Sequence, residues 1–134
     1  MRLTEIARTQ KNPFPQSKIT VPVYHGTNEK FSKFRRPPHG VFFTPHKYWA
    51  LEHYGNNVLT CFINVPKLYV LRYGKEFDEE VLGAFFDRDY NLLHKYIEKL
   101  KSKGYNAMQA PGDSEMICVF ENAQIINADT GKEM

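Results

Sequence analysis

Cysteine is scarce in this chain, with Cys61 and Cys118 the only two among 134 residues. Two thiols cannot build the disulfide framework of a small secreted domain. Both fall inside strand-like apolar runs, so they read as reduced core residues of a cytosolic protein. No uncharged apolar run approaches the ~20 residues that a membrane span requires. Residues 1–11 carry charge but no apolar block, which argues against a secretory leader. Charge of one sign is not in large excess. The 18 Lys and Arg against 15 Asp and Glu leave a net charge of +3, short of the clustered excess of a dedicated nucleic-acid binder. His25, His39, His46 and His53 fall close together, yet no Cys/His spacing matches a zinc site, so no metal is expected. Internal repeats and low-complexity blocks are missing. What remains is globular: 42% apolar and 25% charged residues, in a length that suits one domain. We read it as a single domain over 1–134, with residues 1–20 as an N-terminal arm.

Strands and helices are interspersed along the chain. A short helix is expected at 3–8, an extended or loop stretch around Pro13 and Pro15, and a strand at 19–24, with Pro22 favouring an edge or a strand start. Residues 26–29 read as a turn and 35–40, which hold Arg35, Arg36 and a Pro-Pro pair, as a loop. A short strand at 41–44 runs into Thr44-Pro45, which reads as a helix start. That helix should stop at Gly55, with Trp49, Ala50, His53 and Tyr54 on one face. The run at 58–65 is a strong strand, broken by Pro66 and resumed at 68–71. Residues 77–86 read as a helix. The best helix in the chain is 91–103, where Leu92, Leu93, Tyr96, Ile97 and Leu100 form the apolar stripe and Gly104 is the stop. Short strands follow at 106–109, 116–120 and 124–126, with a turn at 110–114. Several linkers are too short for helical crossovers. That favours an α+β fold with a largely antiparallel or mixed sheet.

Three segments carry candidate chemistry. In Val23-Tyr24-His25-Gly26-Thr27 a histidine closes a strand beside a glycine, whose backbone another molecule can approach closely. In Gly40-Val41-Phe42-Phe43-Thr44, followed by Trp49 and Tyr54, aromatic faces gather beside a glycine turn; such walls stack on flat or cationic rings. In Asp113-Ser114-Glu115 a carboxylate stands just before a buried strand, where it could stabilise a developing charge. Taken singly, each has an ordinary alternative: a solvent-facing histidine at a strand end, core aromatics, an acidic turn.

In this order, and spread over residues 21–128, the three resemble the ADP-ribosyltransferase fold, which implies a split, mixed or antiparallel two-sheet core with a few helices. The similarity is to the His–Tyr–Glu branch of diphtheria-toxin-like and PARP-like enzymes, especially small bacterial and phage-type members. Those read Y-H-G-T, then G-x-[YF]-F-[TS] with an A…Y helix, G-Y-[DN]-[GA], and a Glu strand followed by [DE]-x-x-Q-I. This chain has Tyr24-His25-Gly26-Thr27, Gly40–Thr44, Gly104-Tyr105-Asn106-Ala107 and Glu121-Asn122-Ala123-Gln124-Ile125. The resemblance implies mono-ADP-ribosyl transfer from NAD⁺, as co-substrate, to a macromolecular acceptor, a protein ahead of a nucleic acid, with release of nicotinamide. It also implies a cytoplasmic setting, the host bacterial cytoplasm for a phage-encoded effector, and no membrane.

Carried over, His25 would hold a ribose hydroxyl and Gly26 would pair its backbone with the nicotinamide carboxamide, with Thr27 and Phe43 flanking. Phe42 and Tyr54 would wall the nicotinamide ring. Glu115 would accept from the ribose 2′-hydroxyl and stabilise the oxocarbenium-like charge. There are two departures from the pattern. Phe42 stands where a Tyr is usual. The usual Glu position, four residues before the strand-ending Phe, is Met116, with Glu115 one residue earlier, and a one-residue slip in a strand reverses a side chain's face. A bulge would restore it; otherwise Asp113 or Glu121 would substitute, or the chain would be a binding module that holds NAD⁺ or ADP-ribose, or blocks a partner, without chemistry. An RNA 2′-phosphotransferase relative would need a basic phosphate cradle, for which Arg35 and Arg36 are the sole hint.

Overall fold

The computed structural model describes residues 12–28, 34, 39–112 and 115–134. The helix expected at 3–8, most of the loop at 35–40 with Arg35 and Arg36, and the turn residues Asp113 and Ser114 lie outside the described residues, as does the Tyr54 side chain.

Among the described residues, seven strands form two sheets. The first is a three-stranded sheet of β1 (Val23–Thr27), β3 (Asn57–Asn64) and β7 (Gln124–Asn127), in the order β1-β3-β7. The second has the order β2-β6-β5-β4, built from β2 (Val41–Phe43), β4 (Leu68–Val70), β5 (Ala107–Gln109) and β6 (Ile117–Val119). All pairings are antiparallel except β4 with β5. Three helices are described: α1 (Lys47–Tyr54), α2 (Glu76–Phe86) and α3 (Tyr90–Ser102). The fold is α+β, as the short linkers require.

Period-two alternation in the second sheet builds two cores. Val41, Phe43, Ile117 and Val119 turn towards the first sheet and pack with Val23 and Ile63 between the sheets. Met108, Met116 and Cys118 turn the other way, under Leu93 and Ile97 of α3 and Val81 of α2, with Phe42 packed against them. Phe42 is therefore separated from its neighbour Phe43 by the sheet itself.

The two sheets are stitched at one point. Tyr24 and Thr44 exchange backbone hydrogen bonds of 2.8 and 3.0 Å, which brings β1 beside β2. The bridge accounts for one difference from the sequence expectations, and Pro22 with the β3 pairing for another. Both backbone groups of Thr44 are committed to Tyr24, so α1 starts at Lys47 rather than at Thr44-Pro45. The Thr44 hydroxyl accepts from the His46 N–H at 3.2 Å instead of capping the helix. The first strand also starts at Val23, after Pro22, which has no N–H to give a ladder. It runs through Gly26 and Thr27, which pair with Val58 and Asn57 instead of turning.

The helices are held by local chemistry. Asp78, 1% exposed, stands in the first turn of α2 and accepts from the Tyr69 hydroxyl at 2.6 Å and the Arg72 N–H at 3.0 Å. Asp89 caps α3 by accepting from the Leu92 N–H at 3.2 Å, satisfying one of the orphan donors of a helix start. Gly40 sits at φ +86, and a Cβ there would lie 2.4 Å from the Cys118 sulfur, so glycine is required for β2 to meet β6. No described helix is long and apolar enough to cross a membrane.

Candidate active site

Backbone directions along β1 follow from the stitch. Neighbouring residues of a strand send their N–H and C=O to opposite edges. Tyr24 sends its pair to Thr44 on the outer edge. His25 therefore faces β3, and Gly26 turns its N–H and C=O to the outer edge again. The Thr60 carbonyl opposite Tyr24 points away to Ala128, in agreement with that alternation.

A cavity of about 300 Å³ opens at this edge, lined by His25, Gly26, Phe42, His53, Phe85, Arg88, Tyr90 and Met116. Five elements and the turn between α2 and α3 meet there. The His25 Nδ1 lies 2.8 Å from the Phe42 carbonyl. A carbonyl can only accept, so Nδ1 carries the hydrogen and, in the neutral ring, Nε2 holds the lone pair. The Phe34 ring meets the imidazole edge-on at 4.9 Å, and Phe43 lies at 5.6 Å. Burial among these rings pushes His25 below its ordinary pKa, against the opposing effect of the Phe42 bond. The ring is thus fixed, neutral and aimed by β2. Phe42 is held edge-to-face on Phe85 at 5.2 Å, and His39 stacks on Tyr90 at 4.3 Å.

The sequence candidates divide accordingly. His25, Gly26 and Phe42 come together in the cavity. Phe43 is 1% exposed in the core between the sheets, where it backs His25. Thr27 ends β1 opposite Asn57 and is not among the described lining residues. Glu115 is also not among them; its carboxylate faces outward, 3.9 Å from His46 Nε2. Met116 lines the cavity in its place. Glu115 sits at φ +48, as the last residue of the β5–β6 loop, because the ladder resumes at Met116, whose carbonyl accepts from the Ala110 N–H at 2.8 Å. It lies outside the strand, and its left-handed backbone replaces the bulge that would have set its register. Glu121 is engaged by Lys101, whose hydrogen bond and charge hold its carboxyl below the usual range. No carboxylate is among the described residues lining the cavity, and no cluster of metal-ligating side chains is found among the described residues.

Sequence reasoning missed Phe85, Arg88 and Tyr90, and set His53 aside as a metal candidate. The available signal was the Asp87-Arg88-Asp89 junction, where two helices meet without a glycine. A larger depression, about 620 Å³, has all its lining residues on α3 and its cap; it is the flank of one helix rather than a cleft.

The family described as ADP-ribosyltransferase in polyvalent proteins matches residues 20–133. No curated protein gives a significant match. A solved crystal structure of an anti-CRISPR protein is similar, with a TM-score of 0.50 and 16% identity over 83% of this chain and 97% of that one. At that identity the likeness is one of fold.

Proposed function

The chain belongs to the ADP-ribosyltransferases of polyvalent proteins, and from that premise we propose that it binds NAD⁺ in the β1–β2 cavity and transfers ADP-ribose to a macromolecular acceptor. The acceptor we infer is a protein rather than a nucleic acid, and nicotinamide is the leaving group. The protein would be of the His–Tyr–Glu kind, with Phe42 in the Tyr place, and would work in the cytoplasm as a phage-type effector. One observation carries the reading. His25 is locked to the Phe42 carbonyl at 2.8 Å, beside the outward-turned backbone of Gly26.

Each group has a role that its chemistry suits. The nicotinamide carboxamide has a donor and an acceptor, as a strand does, and so pairs with Gly26 on the outer edge of β1. The nicotinamide ring is flat and cationic, and the Phe42 face stacks on it. Neutral His25 accepts from a ribose hydroxyl through Nε2. As the glycosidic bond breaks, the electron pair leaves with nicotinamide and positive charge grows on the ribosyl carbon. Glu115, next in sequence to the lining residue Met116, is the carboxylate we assign to stabilise it, which requires its side chain to turn in from the outward position beside His46. The domain extent, one unit over 1–134 with residues 1–20 as an arm, belongs to the same proposal.

A second reading is a module that holds NAD⁺ or ADP-ribose, or blocks a partner, without chemistry. It is favoured by Met116, rather than a carboxylate, lining the cavity. The two part under one experiment: NAD⁺ labelled on the adenylate is incubated with the chain and a bacterial lysate, and label on macromolecules and free nicotinamide are measured. Transfer that is lost in His25→Ala supports the enzyme. Calorimetric binding of NAD⁺ with no nicotinamide released supports the module. No binding at all overturns both.

A further inference from the structure

We propose that Arg88 binds the diphosphate of the dinucleotide and thereby selects phosphorylated ligands; the inference rests on the NAD⁺ reading above. It starts from a turn that has the wrong residue for its shape. After α2 the Arg88 N–H bonds the Phe85 carbonyl at 3.4 Å, and the Asp89 N–H bonds the Ala84 carbonyl at 3.0 Å. Those two bonds define a Schellman C-terminus, in which the residue at the Arg88 position adopts a left-handed conformation and is usually glycine. Arg88 has φ +55. Every bond of the motif is a backbone bond, so glycine would make it equally well and with less strain. The arginine side chain contributes nothing to the turn that a glycine would lack.

The side chain does contribute to the cavity. Arg88 lines it from the α2–α3 turn, together with His25 and Gly26. Among the described residues no carboxylate forms an ion pair with it. The neighbouring Asp89 is occupied in capping α3. The permanent positive charge at this site is therefore not neutralised by the described part of the protein. Strained backbone tends to be kept where a side chain has a task. Among the described residues, the two non-glycine positions at positive φ are Arg88 and Glu115; Arg88 lines this cavity, and Glu115 adjoins the lining residue Met116 in sequence.

Size points to which part of the ligand meets Arg88. About 300 Å³ is at the small end for a ligand site. It takes the nicotinamide nucleoside half against Phe42 and His25, and the remainder of the dinucleotide must leave through the mouth. Arg88 both lines the cavity and is exposed, and we assign its guanidinium to the phosphates that leave the cavity. A planar guanidinium matches phosphate oxygens in bidentate fashion.

The test compares the wild type with Arg88→Gly and Arg88→Lys, by calorimetry with NAD⁺, ADP-ribose and nicotinamide riboside, which has no phosphate. Arg88→Gly should raise the melting temperature, since it relieves the turn, and should weaken NAD⁺ and ADP-ribose about ten- to a hundredfold, the range for hydrogen bonds to a charged group. Nicotinamide riboside should bind unchanged, and Arg88→Lys should fall between. Unchanged NAD⁺ binding in Arg88→Gly, or an equal loss for the riboside, would overturn the inference while leaving the NAD⁺ reading intact. A wild type that binds none of the three would overturn both.

Discussion

Replacing Glu115 by Gln should slow nicotinamide release by about 10²–10³, or roughly 2.7–4 kcal/mol of barrier, the usual loss for one aimed electrostatic group. The structure indicates why the fold should not confound that measurement. Glu115 and its partner His46 are each about half exposed and 3.9 Å apart, and such surface pairs contribute about 0–1 kcal/mol. Glutamine keeps the shape and loses only the charge. Glu115→Gly goes further: it removes the carboxylate and also relieves a backbone at φ +48, a conformation that costs a side-chain-bearing residue about 1–2 kcal/mol. That variant should melt several degrees higher and be as slow as the glutamine variant. Liquid chromatography of free nicotinamide reads the rate, calorimetry reads NAD⁺ affinity, and a thermal melt reads the fold. A companion variant sharpens the result. Met116→Glu in the Glu115→Gln background places a carboxylate on the cavity wall and should restore part of the rate. Wild-type turnover in Glu115→Gln alone would refute the assignment of the carboxylate.

Acid should destabilise the protein. Burial lowers the pKa of His25, and of His39, where the charge of His94 adds to it. The unfolded chain therefore takes up protons first as pH falls through about 6.5, and stability is lost from there down to the lowered folded values. Urea titrations at several pH values should be flatter for His25→Gln, and a wild-type curve equally steep would count against a buried neutral imidazole. NAD⁺ affinity should fall only lower, as pH passes the lowered folded value of His25, because the imidazolium no longer accepts a hydroxyl. Gly40→Ala should cost about 1–2 kcal/mol for the positive φ and a further ~1–3 kcal/mol for the overlap with Cys118, read as a lower urea midpoint. Cys61, pushed up to about 12 by burial and by Asp129, and Cys118, raised by burial, are both fully covered. Neither should react with a thiol reagent at pH 8 until the chain is unfolded.

What the residues alone disclosed follows a physical division. The run at 58–65 and the stripe Leu93, Ile97, Leu100 predict β3 and α3 within a residue or so, because apolar periodicity is local information. The α1 start was displaced by one long-range bond pair, Tyr24 with Thr44, and the first strand by Pro22 and its pairing with β3; the long-range pairings are encoded by no local propensity. The same division holds at the site. His25 and Gly26 adjoin in sequence and Phe42 joins them through a neighbouring strand, so a motif exposes them. Phe85, Arg88 and Tyr90 come from the end of α2, the turn after it and the start of α3, beyond two strands and a helix in sequence, and only the tertiary fold brings them to the cavity. The outward position of Glu115 rests on its left-handed backbone, which a residue of that type does not announce.

The most direct test is an NMR titration of the labelled chain with NAD⁺, read at the backbone amide of Gly26. The outward turn of that N–H into the cavity predicts one of the largest shifts there, accompanied by His25, Phe42 and Arg88 and lost in His25→Ala. Shifts confined to the outer flank of α3, around Asn91 and His94, or no shifts at saturating NAD⁺, would contradict the account.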